Sequence, residues 1–171
     1  MSFMELAKER YSVRAFKNTP VEQEKIDKIL EAARIAPTAK NSQTQMIYVL
    51  KSPEALEKIN SVCKCIYGAP LVFAIGYKSD ETFGVAEDRV YGFGEIDSTI
   101  VTTHMMLEAW EQGIGSCWVG LFHDAEVHEA LGLPENIRIT SLMPMGYAAD
   151  DCKPSDRHET YRPDEEMVEF L

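Results

Sequence analysis

The run Leu71-Val72-Phe73-Ala74-Ile75-Gly76-Tyr77 contains no charged residue and no polar alternation. A strand of this kind has no face to turn towards water, so it must be buried inside a sheet that other elements cover. The flanking sequence supplies such elements. Phe3 to Arg10 reads as a short helix with Phe3, Leu6 and Ala7 on one face. A second helix follows, with Thr19 as cap, Pro20 in its first turn and Glu22 completing a T-x-x-E box. Ile26, Ile29, Leu30 and Ala33 then recur at helical spacing, and the helix must stop before Pro37.

Met46 to Leu50 reads as a strand, and Ser52-Pro53 opens a helix that reaches about Cys65. Residues 78–94 are polar and glycine-bearing, as a loop would be. The longest helical pattern runs from Ile96 to Gln112, with Ile100, His104, Leu107 and Glu111 marking successive turns and Gly113 at its end. Strands are expected at Cys117–Leu121 and Ile137–Met145, around a short helix from Asp124 to Leu131 that Gly132 closes. With no repeat, no low-complexity stretch and no linker, residues 1–171 form one domain of α+β class around a central sheet.

No apolar run approaches the roughly 20 residues that cross a bilayer. The N-terminus lacks the basic and apolar regions of a signal peptide, so the chain is expected to be soluble and cytoplasmic. Cys63, Cys65, Cys117 and Cys152 are too few and too irregularly placed for a disulfide framework or a zinc ribbon. The net charge of −11 argues against nucleic acid or an anionic membrane as partner. Residues 1–40 nevertheless carry eight basic and six acidic side chains, leaving −13 to the remainder. Those N-terminal cations serve either an anion or ordinary surface salt bridges. Residues 148–171 carry eight acidic and three basic side chains but end in Met167, Val168, Phe170 and Leu171, which a solvated tail has no reason to carry.

Phosphate-loop, dinucleotide-fingerprint, nucleophile-elbow and H-E-x-x-H patterns are all missing, and the four histidines show no ligand spacing. No metal site is expected. Four stretches remain. Arg10-Tyr11-Ser12-Val13-Arg14 offers two guanidiniums and a hydroxyl to an anion, or a basic end to a helix dipole. Ala36-Pro37-Thr38-Ala39-Lys40-Asn41-Ser42-Gln43 has small residues that admit a flat ligand, and amides that can bond its polar edge; a plain loop would look similar. Gly115-Ser116-Cys117-Trp118-Val119-Gly120-Leu121-Phe122 is an aromatic, apolar run that a core strand would also show. Met145-Gly146-Tyr147 is followed by Lys153 and Arg157.

Together and in this order, R-x-S-x-R, P-[ST]-x-x-N-x-Q, G-x-G-[ST]-C-W-x-G and P-x-G-Y with a following Arg resemble the nitroreductase family of FMN-dependent enzymes, in its shorter form. The resemblance runs from Glu9 to about Pro163. It implies a mostly antiparallel sheet flanked by helices, in an interlocked homodimer with FMN at the interface. By resemblance Arg10, Tyr11, Ser12 and Arg14 hold phosphate and ribityl, while Pro37, Thr38, Ala39 and Asn41 come from the other subunit and lie along the ring. Trp118, Val119, Gly120 and Leu121 border the isoalloxazine, Arg157 closes on the phosphate, and residues 148–171 form an arm that reaches the partner.

The implied activity is transfer of hydride from NADH or NADPH to a small acceptor such as a nitroaromatic, a quinone or a flavin. Alternatives on the same scaffold are an FMN store without turnover and a flavin dehydrogenase or dehalogenase. The chemistry belongs to the flavin, and no side chain of the four stretches is expected to act as an essential acid or base. Two departures stand out: Thr44 and Gln45 replace the Pro-Trp of many relatives, and Tyr11 replaces a common arginine.

Overall fold

A computed structural model of the chain describes residues 2–83 and 92–171. Most of the expected 78–94 loop, residues 84–91, therefore lies outside the described residues. Four strands, β1 (Gln45–Leu50), β2 (Leu71–Lys78), β3 (Gly115–Ser116) and β4 (Ile137–Gly146), form one sheet in the order β1-β2-β4-β3. Every neighbouring pair is antiparallel. The apolar run is the interior strand β2, and its two faces supply two cores. Leu71, Phe73 and Ile75 pack with Ile26 and Ile29 of α2 (Gln23–Ile35) and with Val101 and Met105 of α4 (Phe93–Glu111). Val72 and Ala74 pack on the other side with Ile59 of α3 (Pro53–Val62) and Val127 of α5 (Asp124–Leu131). Helix, sheet and helix layers follow from a strand that has no polar face.

The element α1 (Phe3–Glu9) starts with a capping box that the sequence reading did not use: Ser2 accepts from the Glu5 amide, and Glu5 accepts from the Ser2 amide. The box expected at Thr19–Glu22 does not form. There α2 begins three residues later, at Gln23, and its N-cap is Glu22, with no side-chain cap bond. The Glu22 carboxylate instead accepts from the Tyr147 hydroxyl at 2.7 Å. A tertiary partner outcompetes the local one.

Three further boundaries differ. Helix α3 stops at Val62 and is followed by a single 3-10 turn at Lys64–Ile66. Helix α4 starts at Phe93, earlier than the apolar periodicity announces, and Gly94 in its first turn lies against the Tyr77 ring. A Cβ there would stand 2.2 Å from Tyr77 Cδ2. The expected strand Cys117–Leu121 does not form: β3 ends just before it, and within it Val119 pairs with Leu142 as an isolated bridge. At Gly132 the backbone is left-handed, as the helix-ending role requires.

Candidate functional site

Helix α1 ends at Glu9, and the extended backbone of Arg10 releases the chain into an irregular segment tied by isolated bridges at Ser12 and Phe16. Val13 N–H donates to Ser116 C=O at 2.9 Å, Lys17 N–H to Tyr147 C=O at 2.8 Å, and Ala149 N–H to Ala15 C=O at 2.9 Å. Val13 is fully buried beneath this segment, while Arg10, Ser12 and Arg14 are not. Gly115 makes this close approach possible, since a Cβ there would meet Val13 Cγ2 at 2.5 Å.

Arg10, Tyr11, Ser12 and Arg14 line a cavity of about 260 Å³ whose opposite wall is Ser155, Arg157 and His158. That wall is folded onto its own chain. His158 Nε2 pairs with Lys8 C=O at 2.9 Å, and the Tyr11 hydroxyl donates to Cys152 C=O at 3.3 Å. Tyr11 also sets its ring edge-on to Trp110, with centroids 5.1 Å apart. Residues up to His158 are therefore anchored within the subunit, while Met167, Val168, Phe170 and Leu171 lie exposed beyond them.

Among the described residues the ion pairs are Lys17–Asp150, Lys28–Glu24, Arg34–Glu31, Lys58–Glu54 and Lys78–Glu81. None uses Arg10, Arg14 or Arg157. Burial pushes the Cys117 thiol up, and Arg14 opposes that rise. Burial likewise raises the Tyr67 phenol, Cys65 adds to the effect, and Arg14 again opposes it.

The second stretch follows α2, whose end at Ile35 leaves Ala36 extended before Pro37. Lys40, Asn41 and Gln43 all have left-handed backbone, with φ of 52°, 57° and 51°. Non-glycine residues pay for that conformation, asparagine least. The compensation comes from Asp97 on the first turns of α4, which is 3% exposed. Its two carboxylate oxygens accept from the Ala39 amide at 3.0 and 3.1 Å, and one accepts from the Ser42 hydroxyl at 3.4 Å. Thr38 Oγ1 accepts from the Gln43 amide at 3.1 Å. Ala39 and Lys40, with Phe83 and Phe93, line a second cavity of about 430 Å³.

In the third stretch Val119 is buried, with both backbone groups bonded to Leu142 at 2.9 and 3.0 Å. It holds the run in place and offers a ligand no side chain. Trp118 is half-buried, Leu121 is 82% exposed, and Gly120 has open space where a Cβ would stand. The bridge between Ser12 and Ser116 ties this run to the arginine stretch.

The structure thus brings Arg10, Tyr11, Ser12, Arg14 and Arg157 around one cavity. Pro37, Thr38, Ala39 and Asn41 sit on a separate loop; the arginine cavity takes no residue from it. Sequence reasoning missed Ser155, His158, Tyr67 and the loop-holding role of Asp97. Only Asp97 left a signal, as the acidic residue near the start of the long helix. Thr44 and Gln45, the departure noted above, carry side-chain oxygens that are buried without a partner among the described residues.

The sequence model of the Nitroreductase family matches residues 7–67 and 63–147. A protein of Archaeoglobus fulgidus assigned as an NADH dehydrogenase or NAD(P)H nitroreductase is 30% identical over 163 residues, 91% of this chain and 90% of that one. A nitroreductase family protein from Clostridium difficile 630 has a crystal structure with TM-score 0.91 and 37% identity, covering 99% of this chain and 98% of that one. The fold is also that of an Exiguobacterium sibiricum protein, described as a nitroreductase and solved in complex with FMN. There the TM-score is 0.86 at 20% identity, over 100% of this chain and 98% of that one.

Proposed function

The chain belongs to the nitroreductase family, and from that premise we propose an FMN-dependent oxidoreductase that passes hydride from NADH or NADPH to a small acceptor. Nitroaromatics, quinones and flavins are the acceptor classes. The observation that carries the reading is the cavity where Arg10, Arg14 and Arg157 converge without a carboxylate partner among the described residues. In a chain of 28 acidic and 17 basic residues, three guanidiniums kept clear of ion pairs suit a phosphate. The residues therefore fit FMN.

When bound, FMN supplies a centre that accepts and releases hydride. Arg10, Arg14 and Arg157 would hold its phosphate, with Ser12 as a hydroxyl partner and Tyr11 bracing the wall. Trp118, Gly120 and Leu121 would border the ring system beside that clamp. Pro37, Thr38, Ala39 and Asn41 would complete the site from a second copy of the chain, since their loop belongs to a different opening. Exposed Phe3, Met4, Met167, Val168, Phe170 and Leu171 support a homodimer, because each leaves apolar surface that a partner can cover.

The test is an FMN titration of wild type and Arg157→Ala, with the mass of each species measured by sedimentation. Wild type should bind one FMN per chain as a dimer and oxidise NADH or NADPH with a quinone. Loss of one charge-assisted bond should weaken FMN binding roughly ten- to a hundredfold in Arg157→Ala, with the fold unchanged. Equal affinity would remove Arg157 from the site. FMN bound without turnover would leave a flavin store.

A further inference from the structure

We propose that the cavity lined by Ala39, Lys40, Phe83 and Phe93 selects flat aromatic acceptors that carry an anionic substituent, with Lys40 as the discriminating cation. The inference rests on the oxidoreductase reading above and narrows its acceptor class. The two openings differ in chemistry. The arginine cavity is walled by guanidiniums and hydroxyls, as a phosphate requires. This one has two phenylalanines and the methyl of Ala39, and its volume of about 430 Å³ suits a small molecule. Phe83 and Phe93 stand edge to face, with centroids 6.5 Å apart and planes at 88°. Such rings receive another aromatic ring in offset or edge contact.

Among the described residues the single charge in this lining is Lys40. Its Nζ lies 4.3 Å from the centroid of Phe83, and among the described residues no carboxylate is paired with it. In a chain of net charge −11, this ammonium rests on a π face and on no carboxylate of the described residues. A cation–π contact at an exposed site is weaker than a charge-assisted bond to a carboxylate, so an entering anion would replace the ring as partner. The lysine is also fixed at its root. Its left-handed backbone sits beside Ala39, whose amide Asp97 holds. The same loop is the one assigned above to the flavin ring, so an acceptor bound here would lie beside it.

FMN-loaded protein, reduced beforehand, is mixed in stopped flow with 4-nitrobenzoate or 4-nitrobenzamide, which match in size and differ in charge. The quantity read is the ratio of the two rate constants in wild type, Lys40→Met and Lys40→Arg. For an exposed cation, the ratio should fall about two- to fivefold in Lys40→Met. Lys40→Arg should keep it, and rising salt should erode it in wild type. An unchanged ratio in Lys40→Met overturns the proposal. So does an equal fall in both rate constants, which would assign Lys40 to the flavin. If reduced wild type reacts with neither compound, the oxidoreductase reading itself fails, and the inference goes with it.

Discussion

The arginine stretch and the 37–43 loop are both short, irregular segments, yet they are held in opposite ways. The arginine stretch is fixed by register. Backbone bonds to Ser116 and Tyr147 run along it, and Val13 is buried under it. The loop makes only short-range bonds of its own, and its three left-handed residues depend on one carboxylate from a distant helix. The first arrangement spreads its stabilisation over many groups; the second concentrates it in Asp97.

The largest effect should come from breaking the register. In Gly115→Val the new side chain would meet Val13, which has nowhere to move because it is fully buried. Overpacking of this kind costs up to about 3 kcal/mol. Arg10 and Arg14 ride on the displaced segment, so FMN affinity should fall by more than the tenfold typical of one lost phosphate contact. A denaturant melt and a flavin titration read the two quantities together. Lower stability with unaltered FMN affinity would show that the arginines do not depend on this register.

A smaller and more local effect is expected at Asp97. Removing a buried carboxylate that accepts an amide bond costs roughly 1.5–3 kcal/mol, and Asp97→Ala should lose stability in that range. Asp97→Asn keeps one acceptor oxygen and should recover part of it. The contrast lies in hydrogen exchange. Amides of Ala39 and Ser42 should exchange at least about tenfold faster in Asp97→Ala, one decade for each 1.4 kcal/mol lost. Those of Val13 and Lys17 should keep their protection. Equal loosening of both segments would mean that the two are one cooperative unit.

This contrast also explains what was legible in the sequence. The sheet and the helices that cover it follow from periodicities: an unbroken apolar strand, and helical spacing in α2 and α4; the grouping of Arg10, Ser12 and Arg14 follows from their closeness in sequence. The pattern extends over enough residues for a local rule to carry it. Features decided by one long-range contact were not legible. Glu22 gave up its capping role to Tyr147, and the 117–121 run pairs as an isolated bridge at Val119 instead of forming a strand. Asp97 reached back 58 residues to the Ala39 amide. The serine and histidine of the clamp's far wall, Ser155 and His158, lie in a segment without periodicity, so only the fold could bring them to Arg10.

The mildest test concerns what steadies Asp97 itself. Its helix begins against Tyr77: Gly94 lies on the ring, and the phenol donates to the Glu95 carboxylate. Tyr77→Phe keeps the ring and removes only that bond, which should cost about 1 kcal/mol, the lower end for a partly solvated charge-assisted bond. Burial, and then the hydrogen bond to Glu95, push the Tyr77 phenol well above its ordinary range. An unfolded tyrosine ionises near pH 10, earlier than the folded one. The Tyr77 contribution should therefore be whole below about pH 10 and drain away as pH rises towards the folded-state value. The other tyrosines titrate in both proteins, so the difference between wild type and Tyr77→Phe isolates this one. Melts at intervals from pH 8 to pH 11 should show wild type ahead at first and its lead shrinking above pH 10. A lead that stays constant to pH 11 would mean that the phenol ionises alike in both states, and that Glu95 does not hold the start of α4 through it.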